Sequence, residues 1–228
     1  MSSACGFELV IFDCDGVLID SELIAAREHT LALNKAGFSI SQTEVMDRFT
    51  GIASAEMYAE LEAEFGRQIP EAHHDEVKRN VLKAYESDLK PIPGIHAAVS
   101  AISIPKCVAS SSIPVKLEAG LKATELHAHF TPNIFSAAQV AKGKPAPDLF
   151  LFAATQLGVN PAQCLVIEDS PAGTEAGIAA GMTTVGFTGG SHCRPDLAKQ
   201  LKGIGARTTF SDMARLPGIL EGLTQPLS

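Results

Sequence analysis

The sequence predicts an α/β protein: a parallel sheet covered by helices on both faces, with an all-helical block inserted directly after the first strand. Short β-branched apolar runs recur along most of the chain, and helical segments with clear start signals separate them. One long stretch holds helices only.

The first run, Leu9-Val10-Ile11-Phe12, is too short and too β-branched for a helix and reads as a strand buried on both faces. It leads into Asp13-Cys14-Asp15-Gly16-Val17-Leu18-Ile19-Asp20-Ser21. Strand side chains alternate, so Asp13 and Asp15 point to one side and Cys14 packs opposite them, while Gly16 permits a sharp turn. From about Ser21 to Asp88 the pattern is helix after helix. Ser41-Gln42-Thr43-Glu44 has the form of a capping box, and Ala53–Phe65 is strongly helix-prone. Pro91-Ile92-Pro93-Gly94 closes this block with turn formers. Strand runs resume around Lys106–Ser110, Asn133–Ser136, Cys164–Glu168, Thr183–Phe187 and Ala206–Phe210. Pro147 suits the first position of a helix, and so does Pro171 after a Ser170 cap. The α/β core is therefore expected at residues 1–20 and 89–228, and the helical block at 21–88.

At 228 residues the chain can bury a substantial core, and 46% hydrophobic with 19% charged residues describes a globular protein rather than a disordered one. A formal charge of −8 works against non-specific attraction to nucleic acid or to an anionic membrane. No apolar run approaches the ~20 residues that span a bilayer, and the amino end has no basic region followed by a hydrophobic stretch. Cys5, Cys14, Cys107, Cys164 and Cys193 are odd in number and scattered, which suits reduced thiols in a cytoplasm better than a disulfide framework or a zinc site. The histidines lack ligand spacing as well. No internal repeat is visible.

Chemistry-bearing residues gather at the ends of the predicted strands. Acids placed together at the carboxyl end of a buried strand are costly for folding, yet that is where open α/β sheets bind ligands. Ser110-Ser111-Ser112 ends the second strand in hydroxyls that can donate to phosphate oxygens. Gly143-Lys144-Pro145-Ala146-Pro147-Asp148 puts a lysine in a loop just before a helix, a compact charge suited to phosphate. Leu165-Val166-Ile167-Glu168-Asp169-Ser170 ends a buried strand in adjacent carboxylates, oxygen ligands of the kind Mg²⁺ takes. Singly, each has a bland reading as a turn, a solvated loop or a helix cap. Together and in this order, they do not fit chance.

Asp-x-Asp-Gly-Val-Leu-x-Asp-Ser, a strand ending in Ser, Gly-Lys-Pro-x-Pro-Asp and Ile-Glu-Asp-Ser-x-x-Gly resemble the four motifs of the haloacid dehalogenase-like hydrolase superfamily, and the resemblance covers essentially the whole chain. It implies a Rossmann-like doubly wound core. The helical insert is similar to the small cap domain of the subfamily containing β-phosphoglucomutase and phosphoglycolate phosphatase. The run including Arg48-Phe49-Thr50-Gly51 is also similar to bacterial phosphatases of 6-phosphogluconate and related sugar phosphates.

Carried over by position, the resemblance implies that Asp13 is the nucleophile that becomes an aspartyl-phosphate and that Asp15 is general acid, then base. It implies Mg²⁺ held by the Asp13 carboxylate, the Asp15 main-chain carbonyl and Asp169, with Glu168 supporting or completing the shell. Ser110 and Lys144 would bind the transferring phosphoryl group, with Ser111 beside them. Glu22, at the hinge, either touches substrate or starts the first helix of the block. Arg48 is either a cation for a second anionic group of the substrate or a solvated helix-end arginine. Gly186–His192 follows a strand and either approaches the substrate or, the favoured reading, forms a tight turn.

Family dehalogenases lack an acid two residues after the nucleophile, so Asp15 points to phosphoryl transfer. The mutase branch carries a histidine, an arginine and a lysine at positions that here hold Ala25, Ser54 and Thr50. A mutase must grip both phosphates of a sugar bisphosphate, and losing that arginine removes a strong contact. A hydrolase of a small phosphorylated sugar or sugar acid is favoured. The alternatives are a phosphosugar mutase and a catalytically silent binding module of the same fold. The expected protein is cytoplasmic, a monomer or weak homodimer, with no nucleic-acid or membrane partner.

Overall fold

The computed structural model describes residues 6–224. Its strands are β1 Leu9–Phe12, β2 Lys106–Ser110, β3 Ile134–Ser136, β4 Cys164–Glu168, β5 Thr183–Phe187 and β6 Thr209–Phe210, each within a run that the sequence marks as a strand. They form one parallel sheet in the order β3-β2-β1-β4-β5-β6. In this order the chain winds outward from β1 to one edge and then returns to start β4 on the other side of β1. Ligands of open sheets bind at that reversal, outside the carboxyl ends of the central strands.

The alternation along β1 divides the core in two. Val10 and Phe12 join a cluster with Val108, Leu165, Ile167 and Val185 on one face. Helices α5 (Ile95–Ala101) and α6 (Pro114–Ala123) cover that face through Ile95, Val99, Leu117 and Leu121. Leu9 and Ile11 turn the other way, against Phe150 and Ala153 of α8 (Asp148–Gln156) and Ala176 of α9 (Pro171–Ala179). Because every residue of β1 is fully buried, both faces are apolar and the strand reads as a continuous hydrophobic run. Cys14 is buried in the first of these clusters, as expected. Cys14, Cys107, Cys164 and Cys193 are free thiols, and Cys5 lies outside the described residues.

Between β1 and α5 the chain forms α1 Glu22–Lys35, α2 Gln42–Phe49, α3 Ser54–Phe65 and α4 Glu71–Ser87. The Ser41–Glu44 capping box is present in full, and the Ser170 hydroxyl caps α9 with Pro171 at its first position. Pro147 is the residue before α8 rather than its first, although its φ of −75° is already helical. These inserted helices have a core of their own, including Leu33, Phe38, Val45, Phe49, Tyr58 and Leu61. The insert is not isolated from the sheet, however. Val77, Val81 and Tyr85 of α4 belong to the cluster that packs on β1. Among the described residues no helix is long and apolar enough to cross a membrane.

Leu61 is completely buried in the insert's own core, so Leu61→Ala should leave a cavity there and cost about 2–5 kcal/mol. Urea denaturation measures this, and a loss below about 1 kcal/mol would mean that the insert collapses around the gap.

Candidate active site

The strand ends predicted to carry chemistry converge. At their centre Lys144, 1% exposed, spends all its protons on core oxygens. Its Nζ donates to Asp13 Oδ1 at 2.5 Å, to Glu168 Oε1 at 2.6 Å and to the Ala109 carbonyl at 3.1 Å. An ammonium buried this deeply is tolerable only with such partners. Burial would lower its pKa, but Asp13 and Glu168 raise it well above the ordinary lysine value, so it stays charged.

The carboxylates outnumber it. Asp13, Glu168 and Asp169 are all buried, and each offers an oxygen within 4.8 Å of the others. Burial pushes the Asp13 carboxyl well up, and Lys144 only partly offsets this while Glu168, Asp169 and Asp15 push the same way. Glu168 Oε2 is fully engaged, accepting from the Asp169 and Ser170 amides and from the Ser170 hydroxyl. Asp169 Oδ2 lies 3.1 Å from His192 Nε2, yet no donor is aligned with it. A buried, unsatisfied carboxylate oxygen beside two other carboxylates is a set that fits a hard divalent cation, because oxygen ligands and negative charge are what Mg²⁺ requires.

Two glycines make room for this cluster. Gly16 has φ +80°, and a Cβ there would meet Asp169 Oδ2 at 1.8 Å. A Cβ on Gly173 would meet Glu168 Oε1 at 1.8 Å, which gives the Glu-Asp-Ser-x-x-Gly spacing a steric reason.

Asp15 sits in a different field. Ser112 Oγ donates to its Oδ2 at 2.6 Å, Ser21 Oγ donates to its Oδ1, and Lys116 Nζ of α6 lies 3.0 Å from that Oδ1. Ser110 Oγ and Tyr85 Oη approach at 3.4 Å. Burial alone would raise this carboxyl, but Lys116 and the hydroxyls overrule it and bring the pKa to about 2. Ser21 thus spends its hydroxyl on Asp15 and leaves α1 without a side-chain cap.

Above these groups lies a cavity of about 340 Å³ between core and insert. Asp13, Asp15, Ser110, Ser111, Lys144 and Glu168 line it from the core. Glu22 both starts α1 and lines the cavity, with its carboxyl raised to about 7 by burial and by the charge of Asp15. The insert rests on the core at several points. Gly51 touches Ser170 so closely that a Cβ would clash, Ser111 Oγ donates to the Gly51 carbonyl at 3.5 Å, and Arg194 pairs with Asp47.

One expectation is corrected. Arg48 does not line this cavity. Its guanidinium turns outward and pairs with Glu60 and Glu64 of α3, because two carboxylates one helical turn apart present a better anion than a distant ligand. Lys116 and Tyr85 went unremarked in the sequence: they come from helices remote along the chain, with no local signal. Ser112 lies in the serine run that the sequence marks, and His192 in the segment read as a turn. Gly186–His192 is more than a turn: Ser191 donates to Asp20 through its amide and hydroxyl, which brings His192 against Asp169.

A family profile described as haloacid dehalogenase-like hydrolase matches residues 7–181. The chain belongs to the haloacid dehalogenase-like hydrolases. It is 32% identical over 211 residues to the 6-phosphogluconate phosphatase of Escherichia coli K12, covering 92% of this chain and 93% of that protein. It is also 32% identical over 193 residues to the β-phosphoglucomutase of Bacillus subtilis 168, covering 78% of this chain and 81% of that one. Among solved structures, a conserved haloacid dehalogenase-like protein of unknown function from Agrobacterium tumefaciens superposes with a TM-score of 0.83 at 38% identity, over 96% of this chain and all of the other.

Two outcomes follow from the charge balance. Lys144→Met leaves buried carboxylates without their cation and should cost about 3–5 kcal/mol, read as a fall in urea midpoint; a loss under 1 kcal/mol would mean that the pair carries little. Saturating Mg²⁺ should raise the Tm of the native protein by neutralising the same acids, and Asp169→Asn should remove most of that rise. An unchanged Tm in Mg²⁺ would show that the cluster does not hold the ion.

Proposed function

We propose that the protein is a Mg²⁺-dependent phosphatase that hydrolyses a small phosphorylated metabolite, a sugar or sugar-acid phosphate, through phosphorylated Asp13. The observation that carries this is the buried Asp13–Lys144 pair with Asp15 beside it, on the floor of a cavity of about 340 Å³. Asp13 is an oxygen nucleophile held in place by Lys144. Its attack on phosphorus breaks the bond to the leaving oxygen, which takes a proton from Asp15. Water then attacks the phosphorylated Asp13 and gives its proton to Asp15, so inorganic phosphate leaves and both acids are restored. The Ser110 and Ser111 hydroxyls hold the phosphoryl oxygens, and Lys144 binds the group through its charge, its protons staying on Asp13, Glu168 and Ala109. Such positioning matters more than covalent help because the transition state is loose. Mg²⁺, held by Asp13, the Asp15 main-chain carbonyl and Asp169 with Glu168 in support, would supply neutralisation of the charge on that group.

The Asp15 field suits the second half of this cycle as it stands. With its pKa at about 2, Asp15 is ionised and ready to take a proton from water. A phosphomonoester brings negative charge against Asp15 and raises that pKa, so the acid gains its proton together with its substrate.

The helices at residues 21–88 act in this reading as a cap that excludes water and large substrates. The hydrolase reading is favoured over the mutase by the lining itself. Ala25, Thr50 and Ser54 all face the cavity, so the positions that would grip a second phosphate carry no charge there. The complete set of acids, hydroxyl and lysine argues against a silent binding module. The same reading makes the protein cytoplasmic, monomeric or weakly dimeric, with small molecules rather than nucleic acid or membrane as partners.

Hydrolysis of p-nitrophenyl phosphate tests the chemistry. Asp13→Asn is expected to abolish turnover and EDTA to suppress it; full activity in either case defeats the proposal. Asp15→Asn is expected to lose roughly 10²–10⁴-fold on a sugar phosphate and less on the p-nitrophenyl ester, whose leaving group needs no proton. Equal losses on both would remove Asp15 from proton transfer.

A further inference from the structure

The cap half of the cavity has a chemistry that the phosphate site does not account for. His29 of α1 and Tyr58 of α3 both line it, joined by a hydrogen bond of 2.9 Å between Tyr58 Oη and His29 Nδ1. His74 of α4 stacks on the Tyr58 ring, with centroids 4.2 Å apart and planes at 23°. Burial, with Lys116 and His74 nearby, brings the His29 pKa down to about 3, so the imidazole is neutral. With the phenol hydroxyl donating to Nδ1, the neutral imidazole carries its own proton on Nε2, 3.4 Å from Ser54 Oγ, and the phenol oxygen keeps a free lone pair. His29, Tyr58 and Ser54 therefore give this wall uncharged donors and acceptors, spread over more than one position. Uncharged groups of both kinds suit the several hydroxyls of a polyol, whereas a carboxylate or a second phosphate requires a counter-charge.

The charges around the cavity agree. Lys144 is committed to Asp13 and Glu168, and Lys116 to Asp15. Arg48 is turned away. Glu22 is an acid in the same wall, already pushed up by burial and by Asp15, and a further anion beside it would be repelled. Lys78 is the remaining cation of the lining, and it is exposed to solvent. Much of the rest of the cap wall is apolar, including Phe49, Ile52, Val77 and Val81. An ionised group set against these residues would lose its hydration, and Lys78, the one cation of the cap lining among the described residues, is itself solvated.

We infer that His29 and Tyr58 form a specificity subsite for the uncharged, hydroxyl-bearing end of the substrate, so that the protein acts on phosphate esters of neutral polyols in preference to those of sugar acids. This rests on the phosphatase reading and narrows its substrate class. The similarity to a 6-phosphogluconate phosphatase does not by itself carry over the acid preference.

A matched pair of open-chain six-carbon esters provides the test: glucitol 6-phosphate, which ends in an alcohol, and 6-phosphogluconate, which ends in a carboxylate. The native protein is expected to favour the alcohol at least tenfold in kcat/KM. Tyr58→Phe, which keeps the ring stack and removes only the hydroxyl, should lower kcat/KM for the alcohol about tenfold and shift the acid much less; a factor of ten corresponds to ~1.4 kcal/mol, within reach of one hydrogen bond. Lys78→Ala should leave the preference between the two unchanged. Preference for the acid, equal losses in Tyr58→Phe, or an acid activity that falls in Lys78→Ala would overturn the inference. Turnover of p-nitrophenyl phosphate with neither ester accepted would overturn it too, while leaving the phosphatase standing. Loss of all three activities would remove the phosphatase reading itself.

Discussion

The ammonium of Lys144 is the contact on which the rest of the molecule depends. It is the buried cation that lets Asp13 and Glu168 share one end of the sheet. Without it the ends of β1 and β4, adjacent in the sheet, would bring unscreened carboxylates together in a low-dielectric interior. The arrangement is costly by construction. Glu168 is locked by three further donors and wedged against Gly173, so it serves as the anchor, while Asp13, buried but lining the cavity, has Lys144 as its side-chain partner among the described residues. Rigid support on one side and an available oxygen on the other is what a nucleophile needs.

Two electrostatic environments meet within a few residues of one strand. Asp13 lies among acids and is pushed up by burial; Asp15 lies among hydroxyls and Lys116 and is drawn down to about 2. Groups of the same chemistry thus acquire opposite tendencies from their surroundings, the condition under which two neighbouring carboxylates can take different roles. The elements that create the difference differ in origin. Lys144 comes from a loop of the core, whereas Tyr85, which reaches Asp15, comes from the last turns of the insert. The insert and Asp15 are therefore in direct contact.

The insert does two jobs with the same helices. Its inner residues make a separate core, while α4 lends Val77, Val81 and Tyr85 to the sheet's own cluster. The cavity is the gap left between these two packings. Its core half is charged and hydroxylated, and its cap half is apolar with the His29–Tyr58 pair set into it. Such a division suits a ligand with one doubly charged end and one neutral end.

The sequence by itself determined the sheet, the helical insert and the acids, hydroxyls and lysine that gather at the strand ends. Each strand was visible because burial on both faces demands an unbroken β-branched run, and the Ser41 and Ser170 caps were visible because capping is local chemistry. Asp13, Asp15, Ser110, Lys144 and Asp169 were legible because each sits at a strand end within a short, ordered motif. Only the tertiary structure decided what surrounds them. Lys116, Tyr85 and His192 reach the acids from elements distant along the chain, and no spacing rule links a residue on α6 or α4 to a carboxylate just past β1. Arg48 shows the same limit in reverse. Its sequence neighbours suggested a ligand-facing cation, but the packing of α2 beside α3 supplied Glu60 and Glu64 instead, and a side chain goes to the partner that the fold brings within reach.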